Sequence, residues 1–237
     1  MVKIMKRFFD KLYKDGREDF YSIIKSKLSS DERMFIVTAN PEAFMYGQKD
    51  SDVELLLIDE KTTVVADGIG IVKGGKKIGY DIKERIPGID IAQTLFNYGN
   101  ELSKSIFLFG AKQEVIDALC TVIEKDYPNL KIAGAVNGYV EDKDAVFDQI
   151  KASSADIVLV ALGMPLQEKL IYKHLDKFDK GIFVGVGGSF DVLSGTKQRA
   201  PKFFIDHNLE WLYRIVKEPS RIKRFYNSNV KFLLKLK

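Results

Sequence analysis

The stretch Asp156-Ile157-Val158-Leu159-Val160-Ala161-Leu162 is the clearest indication of the fold. After Asp156 it is apolar throughout and does not alternate with polar residues, which is typical of a β-strand covered by helices on both faces. Five further short runs are rich in β-branched or aromatic residues, and segments of helical periodicity separate most of them. These runs are residues 35–38, 62–66, 105–109, 131–136 and 181–186. The alternation predicts an α/β fold in which a mostly parallel sheet is flanked by helices.

Charge and periodicity divide the chain into a body and two basic ends. Residues 1–30 carry eight Lys or Arg against four Asp or Glu, and residues 209–237 carry eight against two, whereas the middle of the chain is acidic. After Ala200-Pro201 the pattern is purely helical. We therefore predict an N-terminal basic helical segment at 1–30, a Rossmann-like α/β core at 31–200 and a C-terminal basic helical appendage at 201–237. Basic ends of this kind are expected to meet phosphates or lipid headgroups.

Composition also indicates the compartment. Cys120 is the single cysteine, so no intrachain disulfide can form, and its amphipathic surroundings predict a core thiol. No apolar run has the length of a membrane-spanning helix, and the N-terminus lacks the apolar block of a signal peptide. We expect a cytoplasmic protein, peripheral on the inner face of the plasma membrane, with its appendage near an anionic membrane surface. A solvated basic face explains the appendage equally well, and apolar surface left by the tail would favour a homo-oligomer.

Ligands of parallel α/β sheets bind outside the carboxyl ends of the strands, so the residues after each apolar run are the candidates for a site. Asn40 follows the first run and Asp67 the second. An asparagine before Pro41 can also simply cap a helix, and an Asp-Gly pair can also simply make a turn. At this level both residues have a structural and a functional interpretation.

Two glycine-containing segments follow later runs. Gly110 comes at the start of a predicted helix, whose backbone amides could bind phosphate or ribose. Gly187 permits close approach of a ligand, and Asp191 could bond a ribose hydroxyl or a uracil edge. Neither the glycines at 68 and 70 nor those at 185 and 187 complete the G-x-G-x-x-G pattern. A dinucleotide-binding dehydrogenase is therefore disfavoured.

Metal and cofactor chemistry has little support. His174 and His207 are isolated, and the triplets Asp50-Ser51-Asp52 and Asp142-Lys143-Asp144 lie in polar stretches and not directly after apolar strands. We interpret both triplets as solvated charge and expect no metal ion and no cofactor. If no cation neutralises a diphosphate leaving group, arginines must do so.

Several segments, taken together and in order, resemble the WecG/TagA/CpsF family, glycosyltransferase family 26. They are Thr38-Ala39-Asn40-Pro41, Val65-Ala66-Asp67-Gly68-Ile69-Gly70, Glu84-Arg85-Ile86-Pro87-Gly88-Ile89-Asp90, Phe107-Leu108-Phe109-Gly110-Ala111, Ala161-Leu162-Gly163-Met164-Pro165-Leu166-Gln167-Glu168-Lys169, Gly185-Val186-Gly187-Gly188-Ser189-Phe190-Asp191, Arg199-Ala200-Pro201, Leu209-Glu210-Trp211-Leu212-Tyr213-Arg214 and Glu218-Pro219-Ser220-Arg221, continuing to Arg224. The match spans roughly residues 33 to 226.

The resemblance implies an inverting enzyme that moves a sugar, N-acetylmannosamine first of all, from a UDP-sugar donor to N-acetylglucosamine on undecaprenyl diphosphate in teichoic-acid or cell-surface polysaccharide synthesis. It implies that Asp67 is the general base that accepts the proton of the acceptor hydroxyl. It places four residues around the sugars and three at the UDP diphosphate. The four are Thr38, Asn40, Arg85 and Gln167, and the three are Arg214, Arg221 and Arg224.

Alternatives remain open at this level. Members of the family also use N-acetylmannosaminuronate or glucose-type donors, and no residue of this sequence decides among them. A nucleotide-sugar epimerase or reductase on a similar sheet would bind NAD at residues 68–70 or 185–188. A non-enzymatic α/β body recruited to anionic membrane or nucleic acid would bind in a salt-sensitive way without turnover. For the enzyme we expect no nucleic-acid partner.

Overall fold

The computed structural model describes residues 2–236, so Met1 and Lys237, the outer ends of the two predicted basic segments, lie outside the described part. Six strands form one parallel sheet in the order β2-β1-β6-β5-β3-β4. They are β1 (Arg33–Ala39), β2 (Thr62–Ala66), β3 (Ser105–Gly110), β4 (Lys131–Val136), β5 (Ile157–Ala161) and β6 (Gly181–Gly185). The predicted α/β class with a parallel sheet is confirmed, and each of the six predicted runs holds a strand.

Helices fill the connections and both termini. They are α1 (Val2–Lys11), α2 (Arg17–Ser29), α3 (Pro41–Gly47), α4 (Ser51–Leu56), α5 (Ile69–Lys77), α6 (Gly88–Glu101), α7 (Gln113–Asp126), α8 (Lys143–Ser153), α9 (Leu166–His174), α10 (Ser189–Leu193), α11 (Lys202–Asp206), α12 (Glu210–Lys217), α13 (Arg221–Phe225) and α14 (Lys231–Lys235). A 3-10 turn (Leu175–Lys177) follows α9, and a π-helical turn (Tyr226–Val230) joins α13 to α14. The C-terminal stretch after residue 200 is helical, as predicted.

Local sequence explains where several helices begin. The side chain of Asn40 accepts a hydrogen bond from the backbone N–H of Ala43, and Pro41 occupies the first turn of α3, where its missing N–H costs nothing. Asp50 caps α4 and Asp142 caps α8 in the same manner. The first residue of each Asp-x-Asp triplet is therefore used as a helix cap.

Strand β5 lies inside the sheet and is buried along its whole length. Ile157 and Leu159 face a cluster to which α2, α6, α7 and α10 contribute. Val158 and Val160 face the opposite cluster, to which α1, α3, α4, α8 and α9 contribute. Helices thus cover both faces of β5, which is why its sequence shows no polar alternation.

The two ends of the chain pack against one another on one face of the sheet. Phe8, Phe9 and Phe232 are fully buried, and the Phe44 ring lies 5.2, 5.1 and 5.9 Å from theirs, centroid to centroid. A Cβ atom at Gly74 would come within 2.7 Å of the Phe232 ring, so this close contact needs glycine. The division of the chain at residues 30 and 200 stays a prediction, but its first and last helices share a hydrophobic cluster with the sheet.

Helices α11, α12 and α13, which precede Phe232 in the chain, are less buried. Phe203 is 62% exposed, Val216 69% and Ile222 62%, so several apolar side chains of these helices face outward. Within residues 2–236 no helix combines the length and the apolar character needed to cross a bilayer.

The packing of the C-terminal end is testable by mutation. Phe232→Ala is expected to lower the free energy of unfolding by about 3–5 kcal/mol, because it removes a fully buried aromatic side chain and leaves a cavity between α3 and α5. Phe203→Ala, at an exposed phenylalanine of the same C-terminal segment, should change the value by less than about 0.5 kcal/mol. Urea unfolding curves measure both, and equal effects would show that the end is not packed as described.

Candidate active site

A cleft of about 730 Å³ opens at the carboxyl ends of β2, β1, β6 and β5, and residues of α12 and α13 line its outer side. Ten of the eleven residues predicted for the site line it: Thr38, Asn40, Asp67, Arg85, Gln167, Gly187, Asp191, Arg214, Arg221 and Arg224. They come from the ends of β1, β2, β5 and β6 and the connections that follow these four strands, from the loop before α6, and from the C-terminal helices. The fold therefore assembles these separate segments into a single cleft.

Gly110 is the predicted residue that does not line the cleft. It is the last residue of β3, which lies on the far side of β5 from β6. Its φ is +129°, a value that residues other than glycine rarely adopt. A Cβ atom at this position would lie 2.3 Å from the carbonyl oxygen of Ala161. Packing of β3 against β5 thus explains this glycine, and the structure does not bring it to the other predicted nucleotide-binding residues.

Asp67 lies directly after β2 and is held on two sides. Its N–H donates to the carbonyl oxygen of Ala39 at 2.9 Å, and its carboxylate Oδ1 accepts from the N–H of Gly88 at 2.8 Å. Desolvation by the surrounding walls raises the pKa of Asp67, while the Gly88 bond and the charges of Arg214 and Arg85 oppose that rise. A carboxylate with a raised pKa beside cationic groups in a cleft is suited to proton transfer.

An ion pair fastens the C-terminal helices to the core. Arg85 Nη1 lies 2.7 Å from Oε2 of Glu210 at the start of α12, with side chains only 16% and 10% exposed. Arg199 Nε lies 3.6 Å from the other Glu210 oxygen, and its Nη2 donates to Asp90 at 2.7 Å. Burial alone would raise the pKa of Glu210, but the hydrogen bond and charge of Arg85, with the charges of Arg199 and Arg214, hold it below its usual value. Glu210 is thus a charged link between core and appendage.

The three C-terminal arginines differ in their partners. Arg224 forms a forked pair with Glu42 of α3, at 2.9 Å from Nε and 2.7 Å from Nη2. Arg221 pairs with the neighbouring Glu218 at 2.7 Å on an exposed surface. Arg214 lines the cleft and forms no ion pair with any carboxylate of residues 2–236. Its guanidinium is therefore available to an anionic ligand without prior exchange of partners.

Two predicted sugar-binding residues also brace the cleft. Thr38 Oγ1 donates to the carbonyl oxygen of Gly185 at 3.1 Å, which joins β1 to β6. Gln167 Oε1 accepts from the N–H groups of Gly163 and Gly187 at 2.9 and 3.0 Å, which joins the loops after β5 and β6. The carbonyl of Gln167 is thus already used within the protein.

Sequence reasoning did not assign a role to several charged residues of the cleft, three of which form or lack notable contacts in the structure. Glu168, Arg199 and Glu210 all stand inside segments that carry the family resemblance, but their neighbours were singled out instead. Glu168 is 1% exposed, and burial raises its pKa to about 7. For Glu168 the available signal was a glutamate in the strand-to-helix segment 161–169, which the sequence alone could not separate from a solvated helix start.

The histidines and acidic triplets have structural contacts. His174 is buried, stacks on Phe147 with ring centroids 4.6 Å apart, and lies 2.5 Å from Asp144. Asp50 pairs with Lys169 at 2.8 Å. Among the residues that the structure describes, no group of three or more His, Cys, Asp or Glu side chains is arranged to hold a metal ion.

Comparison with known proteins finds relatives over most of the chain. A family model described as "Glycosyl transferase WecG/TagA/CpsF family" matches residues 3–237. The chain is 41% identical over 197 residues to a protein of Bacillus spizizenii, covering 83% of this chain and 76% of the relative. It is 42% identical over 189 residues to a Bacillus subtilis protein, covering 80% and 73%. A Staphylococcus aureus protein is 36% identical over 196 residues, covering 82% and 76%. All three relatives are named N-acetylglucosaminyldiphosphoundecaprenol N-acetyl-beta-D-mannosaminyltransferase.

The raised pKa of Glu168 predicts a pH-dependent stability. Because its pKa is about 7 in the folded protein and about 4.3 in an unfolded chain, the folded state binds the extra proton and wild-type stability falls as pH rises through this range. Glu168→Gln should therefore raise the free energy of unfolding by roughly 1–3 kcal/mol at pH 8, and the gain should shrink towards pH 5. Urea unfolding at both pH values measures this.

The matched control is Glu114→Gln, because the Glu114 side chain is 70% exposed. It should leave the pH dependence as in the wild type. A Glu168→Gln variant that is no more stable than wild type at pH 8 would contradict the assigned burial.

Proposed function

Because this chain belongs to the WecG/TagA/CpsF family of glycosyltransferases, we propose that it transfers N-acetylmannosamine from a UDP donor to N-acetylglucosamine carried on undecaprenyl diphosphate. The acceptor and the transferred sugar are those in the names of its curated relatives. The observation that carries the proposal is the cleft itself, where a desolvated carboxylate, Asp67, faces arginines of the C-terminal helices. In this proposal the product serves teichoic-acid or related cell-surface polysaccharide synthesis.

Asp67 acts as the general base. The acceptor hydroxyl attacks the anomeric carbon of the donor sugar and passes its proton to the carboxylate, while the bond from that carbon to the UDP oxygen breaks and the electron pair leaves with UDP. The Gly88 N–H holds one carboxylate oxygen, Oδ1, and in this proposal the other oxygen accepts the proton. Direct displacement of this kind inverts the configuration at the anomeric carbon.

Arginines stabilise the leaving group. As UDP departs, negative charge grows on its diphosphate, and planar guanidinium groups can bind those oxygens in pairs. Arg214 is available directly, whereas Arg224 is paired with Glu42 and Arg221 with Glu218, so these carboxylates compete with the diphosphate for the two guanidinium groups. This set of cations supports a reaction that needs no metal ion.

The outer face of the appendage is proposed to contact the membrane that holds the acceptor. Val216 and Ile222 are largely exposed, and Lys223, which does not line the cleft, follows Ile222 in the chain. A surface that mixes apolar and cationic side chains can rest on an anionic bilayer without crossing it. The cleft would then open where the lipid diphosphate emerges from the membrane.

The base assignment is tested with Asp67→Asn. The amide keeps the shape of the side chain but cannot accept the proton, so transfer should fall by ~10²–10⁴-fold while UDP binding stays within about twofold of wild type. UDP release is measured with a panel of UDP-sugars and a lipid-diphosphate-N-acetylglucosamine acceptor, with and without EDTA. Transfer at the wild-type rate would remove Asp67 from the mechanism, and activity lost in EDTA would contradict metal independence.

The arginine assignment is tested with Arg214→Ala. Losing a guanidinium that meets developing charge typically lowers the rate by ~10²–10³-fold, and kcat should fall more than KM rises. Lys223→Ala is the control, because this residue also belongs to the C-terminal helices and carries the same charge but does not line the cleft. On a short-chain, water-soluble acceptor the control should keep near-wild-type kcat, and an equal loss in both variants would indicate a general charge effect.

A further inference from the structure

Glu168 occupies an unusual position in the cleft. It lies in the first turn of α9, lines the cleft and is only 1% exposed. A Cβ atom on Gly185, at the end of β6, would come within 2.8 Å of Glu168 Oε1 and 2.6 Å of Gln167 Nε2. The glycine therefore leaves room for two polar side chains to pack beneath the cleft, where apolar side chains would be the ordinary filling.

The two oxygens of the Glu168 carboxyl group differ in their hydrogen bonding. Gln167 Nε2 donates to Glu168 Oε1 at 2.7 Å, and Gln167 is itself fixed through Oε1 by the N–H groups of Gly163 and Gly187. Glu168 Oε2 is buried and has no hydrogen-bond partner in the part of the chain that the structure describes. Buried polar atoms nearly always form a hydrogen bond, and leaving one without a partner costs free energy. We therefore expect this oxygen to bind a hydrogen-bond donor of a ligand.

The surroundings of Oε2 select the kind of partner. Glu42 is the charged neighbour that acts on Glu168, and it adds negative charge, while burial raises the pKa of Glu168 to about 7. A diphosphate would be repelled by a carboxyl group in this setting. A neutral donor, such as a hydroxyl or amide N–H, would instead satisfy the free oxygen, and a hexosamine offers several such groups within the space of one ring.

We propose that Glu168 is a sugar-binding residue whose Oε2 accepts a hydrogen bond from a hydroxyl or acetamido N–H of a hexosamine bound in the cleft. Gln167 is then a positioning residue, because both ends of its amide hold Glu168 and the two adjoining loops in place. The cleft accordingly divides its tasks between arginines for the diphosphate and this carboxyl group for the sugar. The inference rests on the proposed function, since it takes the ligand to be a nucleotide-linked or lipid-linked hexosamine.

The experiment compares ligands with and without the sugar. Calorimetric titrations of wild type and Glu168→Gln use UDP, UDP-N-acetylmannosamine and a water-soluble lipid-diphosphate-N-acetylglucosamine. The variant amide keeps an oxygen for Gln167 but presents N–H groups where the sugar needs an acceptor. Affinity for UDP should stay within about twofold, while affinity for one sugar ligand should fall at least ~10-fold, the usual scale for a hydrogen bond to a charged group.

The sugar ligand that loses affinity identifies the ring that Glu168 holds: UDP-N-acetylmannosamine indicates the donor, and the lipid-linked ligand indicates the acceptor. An equal loss for UDP would show a structural role only, and unchanged affinity for all three ligands would remove Glu168 from recognition. If Glu168→Gln shows no cooperative thermal unfolding, Glu168→Met, which keeps the volume without polar atoms, takes its place with the same expectations.

Failure of this inference is distinct from failure of the proposed function. Wild-type protein that binds no UDP-sugar and releases no UDP would overturn the proposed glycosyl transfer. If the wild-type protein transfers sugar, but Glu168→Gln and Glu168→Met bind every ligand as tightly as the wild type, only the role of Glu168 is overturned. Asp67→Asn provides a further control, because loss of the base should leave UDP-sugar affinity largely intact.

Discussion

The buried ion pair between Arg85 and Glu210 is the contact on which the shape of the site depends. It joins the loop before α6 to the first residue of α12 at 2.7 Å, and Arg199 adds a second cation that is held in turn by Asp90. Because both groups are largely desolvated, removing one partner would leave an uncompensated charge, which typically costs about 3–5 kcal/mol. The pair thereby keeps the C-terminal helices over the carboxyl end of the sheet, and without it the cleft would lose its outer wall.

A second anchor lies at the other end of the same segment. Phe232 packs among Phe9 and Phe44, so the C-terminal helices are fixed at their beginning by charge and at their end by apolar contact. The helices between the anchors keep exposed apolar side chains, including Val216 and Ile222. This arrangement gives one segment two faces, one lining the cleft with arginines and the other carrying exposed apolar side chains, which we propose contact a membrane surface.

Desolvation is the common cause of the site's electrostatics. It raises the pKa of both Asp67 and Glu168, and in each case stability at neutral pH is given up to keep a carboxyl group in the cleft. Arg221 and Arg224, by contrast, form ion pairs with Glu218 and Glu42, and an anionic ligand would compete for these arginines. Two desolvated carboxyl groups and a set of exchangeable cations suit a ligand that is neutral at its sugar and anionic at its diphosphate.

The sequence by itself determined the six strands, their parallel arrangement and most members of the candidate site, because uninterrupted apolar runs such as 157–162 encode burial on both faces and polar residues follow the strands directly. Only the tertiary structure decided which polar groups remain available to bind a ligand. It showed that Gly110 serves strand packing and that the carbonyl of Gln167 is already hydrogen-bonded. It also showed that one oxygen of Glu168 has no hydrogen-bond partner among residues 2–236. Hydrogen-bond satisfaction depends on groups far apart in the chain, so no local pattern of residues can reveal it.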